Sequence, residues 1–127
     1  MKSAHQSALS QIEHSDVDGV RIVGVAGELD ISNVGALREI VYALPNDGLG
    51  IVVDLTRTRF IDSTTIGLLF DLHASLGRRR QVLRVVCGAS STPRRLLELT
   101  AFPAQALSEP DVAAAVASIR RELARAD

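Results

Sequence analysis

Cysteine is almost absent from the chain. Cys87 stands alone among 127 residues, so neither an internal disulfide nor a thiolate metal cage is available. Its place in the apolar run Val85-Val86-Cys87 predicts a small buried hydrophobe rather than a nucleophile. Aromatic side chains are nearly as scarce: Tyr42, Phe60, Phe70 and Phe102 are all there are. That argues against a base-stacking surface for single-stranded nucleic acid. No apolar run approaches the roughly 20 residues that a membrane span needs. Residues 1–10 carry one lysine and no apolar core, so no secretion signal is expected and a cytoplasmic location is the default. Neither sign of charge dominates. Fourteen basic and fifteen acidic residues leave a net charge of −1, which gives no general attraction to DNA or to an anionic membrane.

What remains is an ordinary globular balance, 46% hydrophobic and 23% charged. A chain of this length forms one domain and buries roughly two-thirds of its unfolded surface. Residues 1–8 are polar and predict a flexible N-terminal tail, leaving residues 9–127 as the domain. Residues 9–12 open an edge strand. Residues 20–26 are rich in β-branched side chains and read as a buried strand. A loop is expected over residues 27–30. Ser32 or Asn33 then caps a helix whose apolar stripe is Val34, Leu37, Val41 and Leu44. Residues 51–55 are nearly all apolar, as strands covered on both faces are. A helix follows over residues 62–77, a strand over 81–87, and a short helix from Ser91 or Thr92 through Thr100. Residues 102–107 are expected to hold a last short strand. The final helix opens at residues 108–111 and lays Val112, Val116, Ile119 and Leu123 along one face. Alternating strands and helices define an α/β fold, with helices packed on a largely parallel sheet.

Enzymatic signatures fail one after another. The phosphate-cradling pattern G-x-x-x-x-G-K-[ST] does not occur, and Gly24 and Gly27 fall short of G-x-G-x-x-G. His5, His14 and His73 lack the short spacing of metal ligands. A triad of Ser63, Asp71 and His73 fails on geometry, because ten helical residues separate serine from histidine by about 15 Å. Arg78, Arg79, Arg80, Arg84, Arg94 and Arg95 form a candidate anion patch. A solvated helix end, with cations set against the carbonyl dipole, explains them more simply. The chain carries no catalytic machinery, metal or cofactor of its own by this reading.

One segment differs. In Phe60-Ile61-Asp62-Ser63-Thr64-Thr65-Ile66-Gly67-Leu68-Leu69 an apolar strand ends, and a carboxylate stands beside three hydroxyls where a helix begins. One capping residue would satisfy the free amides of that helix. Ser63, directly after Asp62, is placed to do so. Thr65, deeper in the helix, tends to bond back to a carbonyl. Thr64 between them is expected to project outward.

This segment resembles the F-[IM]-D-S-[ST]-G-[LI]-G-L-L signature of the STAS domain, a family named for sulfate transporters and anti-sigma factor antagonists. Three further stretches resemble the family in order and spacing. Gly27-Glu28-Leu29-Asp30 is similar to its G-E-L-D turn. Val52-Val53-Asp54-Leu55 is similar to its V-[VI]-D-L strand. Residues 94–100 are similar to its late R-x-L-L-x-L-T-G helix. The resemblance spans roughly residues 10–122. Thr65 stands where the family has glycine, and Ala101 stands where glycine follows the late helix.

The resemblance implies a STAS-like α/β fold: a mixed four- to five-stranded sheet with about four helices. It implies a regulatory binding protein rather than an enzyme. Such an antagonist binds an anti-sigma factor that is also a serine/threonine kinase, and so frees sigma factor. Phosphorylation ends the binding and a phosphatase restores it. By motif position the acceptor is Thr64, with Ser63 and Thr65 as competing hydroxyls. Asp30 and Asp62 match the flanking carboxylates, so Asp30, Asp62, Ser63, Thr64 and Thr65 are the expected partner-binding residues. ATP and Mg²⁺ belong to the kinase. The resemblance also admits a second reading, an adaptor or scaffold subunit, transporter-associated or stress-signalling, without direct sigma control.

Overall fold

The computed structural model describes residues 3–6, 10–45 and 47–125. In chain order they form β1 (Ser3–Gln6), β2 (Ser10–Val17), β3 (Val20–Leu29), α1 (Val34–Ala43), β4 (Gly50–Ile61), α2 (Ser63–Arg78), β5 (Val82–Val86), α3 (Thr92–Leu99), a 3-10 turn (Ala104–Leu107) and α4 (Val112–Arg125). The strands make one sheet in the order β1-β2-β3-β4-β5. The first two pairings are antiparallel and the last two parallel. This is the expected mixed α/β architecture.

Period-two alternation divides the central strands between two cores. Val23 and Val25 of β3, Ile51, Val53 and Leu55 of β4, and Leu83 and Val85 of β5 face one side. There they meet the apolar stripes of α1 and α2, together with Leu97 of α3. Val20, Ile22, Val52, Val82 and Val86 face the other side and meet Ala115, Val116 and Ile119 of α4. The α4 stripe is the expected one, with Val112 and Leu123 packed partly buried at its ends. Polar bonds also seat that helix. Buried Arg84 of β5 donates to Ser118 Oγ at 3.2 Å and pairs with Glu122 at 2.6 Å. Cys87 lies in the first core, 3% exposed. Burial pushes its thiol up to about 11, as befits an inert packing residue.

Several expectations are corrected. Residues 3–6 are not a tail: they pair with β2, from Ser3 opposite His14 to Gln6 opposite Gln11. Backbone bonding to an open sheet edge needs no apolar period to announce it. The rest of the expected tail, residues 1, 2, 7 and 8, lies outside the described residues, as does Leu9. β3 continues through Leu29 rather than looping at 27, and β4 runs six residues past Leu55. Residues 102–107 hold a 3-10 turn in place of a strand. Pro103 lacks the amide a ladder uses, and Phe102, Ala106 and Leu107 are buried as plugs in the first core.

The end of α3 is a Schellman closure, in which the Phe102 amide donates to Leu97 O at 3.0 Å and the Ala101 amide to Glu98 O at 3.1 Å. The residue at its bend is Ala101, at φ 60°, where glycine is free of the Cβ penalty. Ala101→Gly should therefore raise stability by about 0.5–1 kcal/mol, after the larger entropy of the unfolded glycine chain is deducted. Urea denaturation would check this; a loss of stability would mean the alanine methyl packs usefully despite its backbone.

Candidate functional site

The site is set by how β3 and β4 end. Their parallel register runs Gly24 opposite Asp54, then Ala26 opposite Arg57, then Glu28 opposite Phe60. Each step places one extra residue on β4, so the register shifts twice. Gly27, at φ 104°, supplies backbone freedom at the second shift. The Thr58 hydroxyl, buried, donates to Val25 O at 2.8 Å beside the first. Both strands consequently end level, with Leu29 opposite Ile61 and both side chains at 0% exposure. The chain then leaves the sheet at two adjacent points, toward α1 and toward α2. Ligand sites in α/β sheets form just beyond such carboxyl ends.

After β3, residues 30–33 make a closed turn. The Asp30 carboxylate accepts from the Ser32 amide at 2.9 Å and the Ser32 hydroxyl at 2.5 Å. The Asp30 carbonyl accepts from the amides of Asn33 and Val34. Asn33 does not cap α1 with its side chain. It reaches backward instead: Oδ1 accepts from the Asp30 amide at 2.9 Å, and Nδ2 donates to Glu28 O at 2.8 Å. With these polar groups paired off, Ile31 is left 78% exposed.

After β4, Asp62 caps α2. Its Oδ1 accepts from the Thr64 amide at 3.0 Å and the Thr65 amide at 3.1 Å. The same oxygen accepts the Thr64 hydroxyl at 2.5 Å and the Thr65 hydroxyl at 3.4 Å. Its Oδ2 accepts the Ile31 amide of the other turn at 3.0 Å. The Asp62 amide donates to Leu29 O at 3.1 Å, which continues the strand pairing one residue further. Burial works to raise the pKa of this carboxyl. The Thr64 hydroxyl and the amides of Thr65, Ile31 and Thr64 outweigh that and hold it below its ordinary 3.8.

The expected site residues thus gather at one place, with a different division of labour. The cap is Asp62, not Ser63. The Ser63 side chain is exposed and has no hydrogen-bond partner among the described residues. Thr65 is fully buried, and its hydroxyl turns to Asp62 rather than back to a carbonyl. Thr64 is half-buried and its hydroxyl is not free: it donates to the carboxylate. A hydroxyl whose proton lies on a carboxylate keeps its lone pairs for an incoming electrophile. Asp30 touches this cluster only through its neighbour Ile31. Sequence reasoning missed Ile31 itself. Its one signal is a large apolar residue set between the turn formers Asp30 and Ser32. Ser63 and His73 fall ten residues apart on α2. Of the basic residues, Arg84 and Arg94 are engaged in internal bonds, Arg94 with Leu107 O at 2.7 Å. Among the described residues no group of three or more His, Cys, Asp or Glu could hold a metal ion, and no helix is long and apolar enough to cross a membrane.

Comparison with known proteins shows the family. The family model of the STAS domain matches residues 11–123. The anti-sigma-B factor antagonist of Listeria monocytogenes is 35% identical over 92 residues, covering 71% of this chain and 78% of its own. That of Staphylococcus aureus is 33% identical over 90 residues, covering 70% and 82%. The crystal structure of an anti-sigma factor antagonist from Mycobacterium paratuberculosis superposes with a TM-score of 0.74 at 25% identity, covering 94% of this chain and 95% of that one.

The Asp62 cap can be tested without any partner. Asp62→Ala removes every bond at once and should cost about 1–2 kcal/mol, while Asp62→Asn keeps an oxygen for the helix amides and should cost less. Because the carboxyl is more acidic folded than unfolded, its stabilisation is complete above the unfolded value of 3.8 and drains away as pH falls through the folded one. Urea titrations from about pH 6 to about pH 3 should show the advantage of the parent chain over Asp62→Asn shrinking below about pH 4. A constant advantage would mean that ionisation of Asp62 does not stabilise the fold.

Proposed function

The chain belongs to the STAS domain family, and from that premise we propose that it is an anti-sigma factor antagonist switched by phosphorylation of Thr64. It binds an anti-sigma factor that is also a serine/threonine kinase, and that binding frees sigma factor. The kinase brings ATP and Mg²⁺ and transfers the γ-phosphoryl group to Thr64. An Oγ–phosphorus bond forms, the bond to ADP breaks, and the hydroxyl proton departs to a base. The phosphorylated chain lets its partner go, and a phosphatase resets it. The protein works in the cytoplasm, as a binding module and not a catalyst.

The observation that carries this reading is the Thr64 hydroxyl, held against Asp62 at 2.5 Å on a half-buried side chain at the start of α2. It combines access with orientation. Thr65 has orientation without access, being fully buried. Ser63 has access without orientation. The relatives named as anti-sigma-B factor antagonists support the same conclusion.

Electrostatics explains why a phosphate would end the binding. A phosphothreonine carries about −1.5 to −2 charges at pH 7. The helix start favours an anion by only ~0.3–1 kcal/mol. A carboxylate about 4 Å away opposes it by about 4 kcal/mol per unit charge at an effective dielectric near 20, less what salt screens. Enclosing this pair of like charges in an interface that lacks a matching cation costs several kcal/mol. About 4 kcal/mol lowers affinity roughly a thousandfold.

Incubation with the anti-sigma kinase and ATP, followed by phosphosite mapping, tests the assignment. Thr64→Ala should take up no phosphate and bind the kinase persistently. Thr64→Glu should bind more weakly, though less so than the phosphorylated chain, since it adds about one charge. Phosphate found on Ser63 would transfer the switch to that residue. No incorporation at all would refute the phosphorylation switch.

A further inference from the structure

Asp62 divides its carboxylate between two parts of the molecule. Oδ1 serves the start of α2, and Oδ2 holds the Ile31 amide. Building on the assignment of Thr64 as acceptor, we propose that Asp62 relays the switch: a phosphate on Thr64 displaces Asp62 from the helix cap, and the displaced carboxylate releases Ile31.

The chemistry begins at the hydroxyl. Unmodified, Thr64 Oγ1 donates its only proton to Asp62 Oδ1 at 2.5 Å. Esterification removes that proton. Two acceptor oxygens then face each other at a separation only a shared hydrogen sustains. The amides of Thr64 and Thr65 now have a choice of acceptors. A phosphate dianion at a helix start is a stronger acceptor than a carboxylate, and it is bonded to the same turn. Its charge also repels the carboxylate it replaces. Losing these Oδ1 bonds frees the carboxylate to rotate, and rotation carries Oδ2 away from Ile31.

The consequence stays local. Within the turn at residues 30–33, Asp30, Ser32 and Asn33 bond to one another and to Glu28. These bonds do not involve Asp62, so the turn keeps its shape. The Ile31 amide has no other acceptor among the described residues. Ile31 is 78% exposed on a turn otherwise fastened by its polar groups. A rigidly presented apolar side chain is what an interface uses as an anchor, since little entropy is lost in placing it. Any partner that reaches Thr64 meets Ile31 beside it. Phosphorylation would thus remove a preorganised apolar contact as well as add charge.

The test uses the full chain, labelled with ¹⁵N and carrying phosphothreonine installed at position 64 during translation. Relative to the unmodified chain, the Ile31 amide proton should move upfield and exchange with solvent about tenfold faster or more. The Asn33 and Val34 amides should keep their shifts. Asp62→Asn provides a second route free of phosphate. Its oxygen stays on the helix amides and its NH₂ faces the Ile31 amide, so Ile31 should be released while the Thr64 and Thr65 amides remain protected. An Ile31 amide unmoved by the phosphate would overturn the relay whatever Asp62→Asn does, as would release of the whole turn together with Asn33 and Val34. No kinase is needed. A chain that its kinase leaves unmodified would refute the proposed function without touching the relay, and an unmoved Ile31 would refute the relay alone.

Discussion

A single carboxylate ties the ends of the two central parallel strands together. Asp62 accepts five donors, four from the first turn of α2 and one from the turn after β3. Without it, α2 would begin with unsatisfied amides, and among the described residues the hydrogen bond left at this point would be the last strand bond, Asp62 to Leu29. The depressed pKa has the same origin, because each donor favours the charged form over the buried neutral one. Cap, bridge and partner of the Thr64 hydroxyl are one electrostatic arrangement. A change at any of the three is therefore felt at the others.

That arrangement exists because β3 and β4 do not run in strict register. Between Gly24 and Glu28 the offset to β4 grows by two residues. The shift brings Leu29 level with Ile61 and delivers Asp62 beside Ile31. It also explains what the sequence concealed. Up to Leu55 every residue of β4 but Asp54 is buried. Beyond it the buried residues are Thr58 and Ile61, three apart. Period three is not a strand signal, so a periodicity reading ends the strand at Leu55. The same cause hides residues 27–29 of β3, where Gly27 reads as a turn and serves a register shift. The apolar stripes of α1 and α4 were legible, because nothing interrupts their spacing. β1 was not, since its four residues carry no apolar alternation.

At the site itself, residue types were legible and their duties were not. A carboxylate next to three hydroxyls announces a helix start. Which side chain becomes the cap depends on backbone conformation, and Asp62 is extended, at φ −105° and ψ −176°. That conformation turns its carboxylate over the amides two and three residues on. Ser63 is already the first helical residue and points outward. Asn33 followed the same logic in reverse: its side chain closes the turn behind it, and α1 is left without a side-chain cap. Capping statistics rank Asp, Ser and Asn nearly equally, so spacing alone could not choose among them.

Thr65 is the departure that most affects how the site works. A β-branched residue in place of glycine could crowd the acceptor or compete with it. Its geometry does neither. Thr65 is at 0% exposure, and its hydroxyl donates to Asp62 at 3.4 Å. Glycine here would leave the first turn of α2 with the largest conformational freedom of any residue. Threonine restricts that freedom and packs the turn against the core. It also gives Asp62 one more donor, which steadies the carboxylate that orients Thr64. The substitution adds a third hydroxyl to the helix start but buries it. Ordering of this kind lowers the entropy lost when a partner docks, and it leaves Thr64 the more accessible of the two threonines.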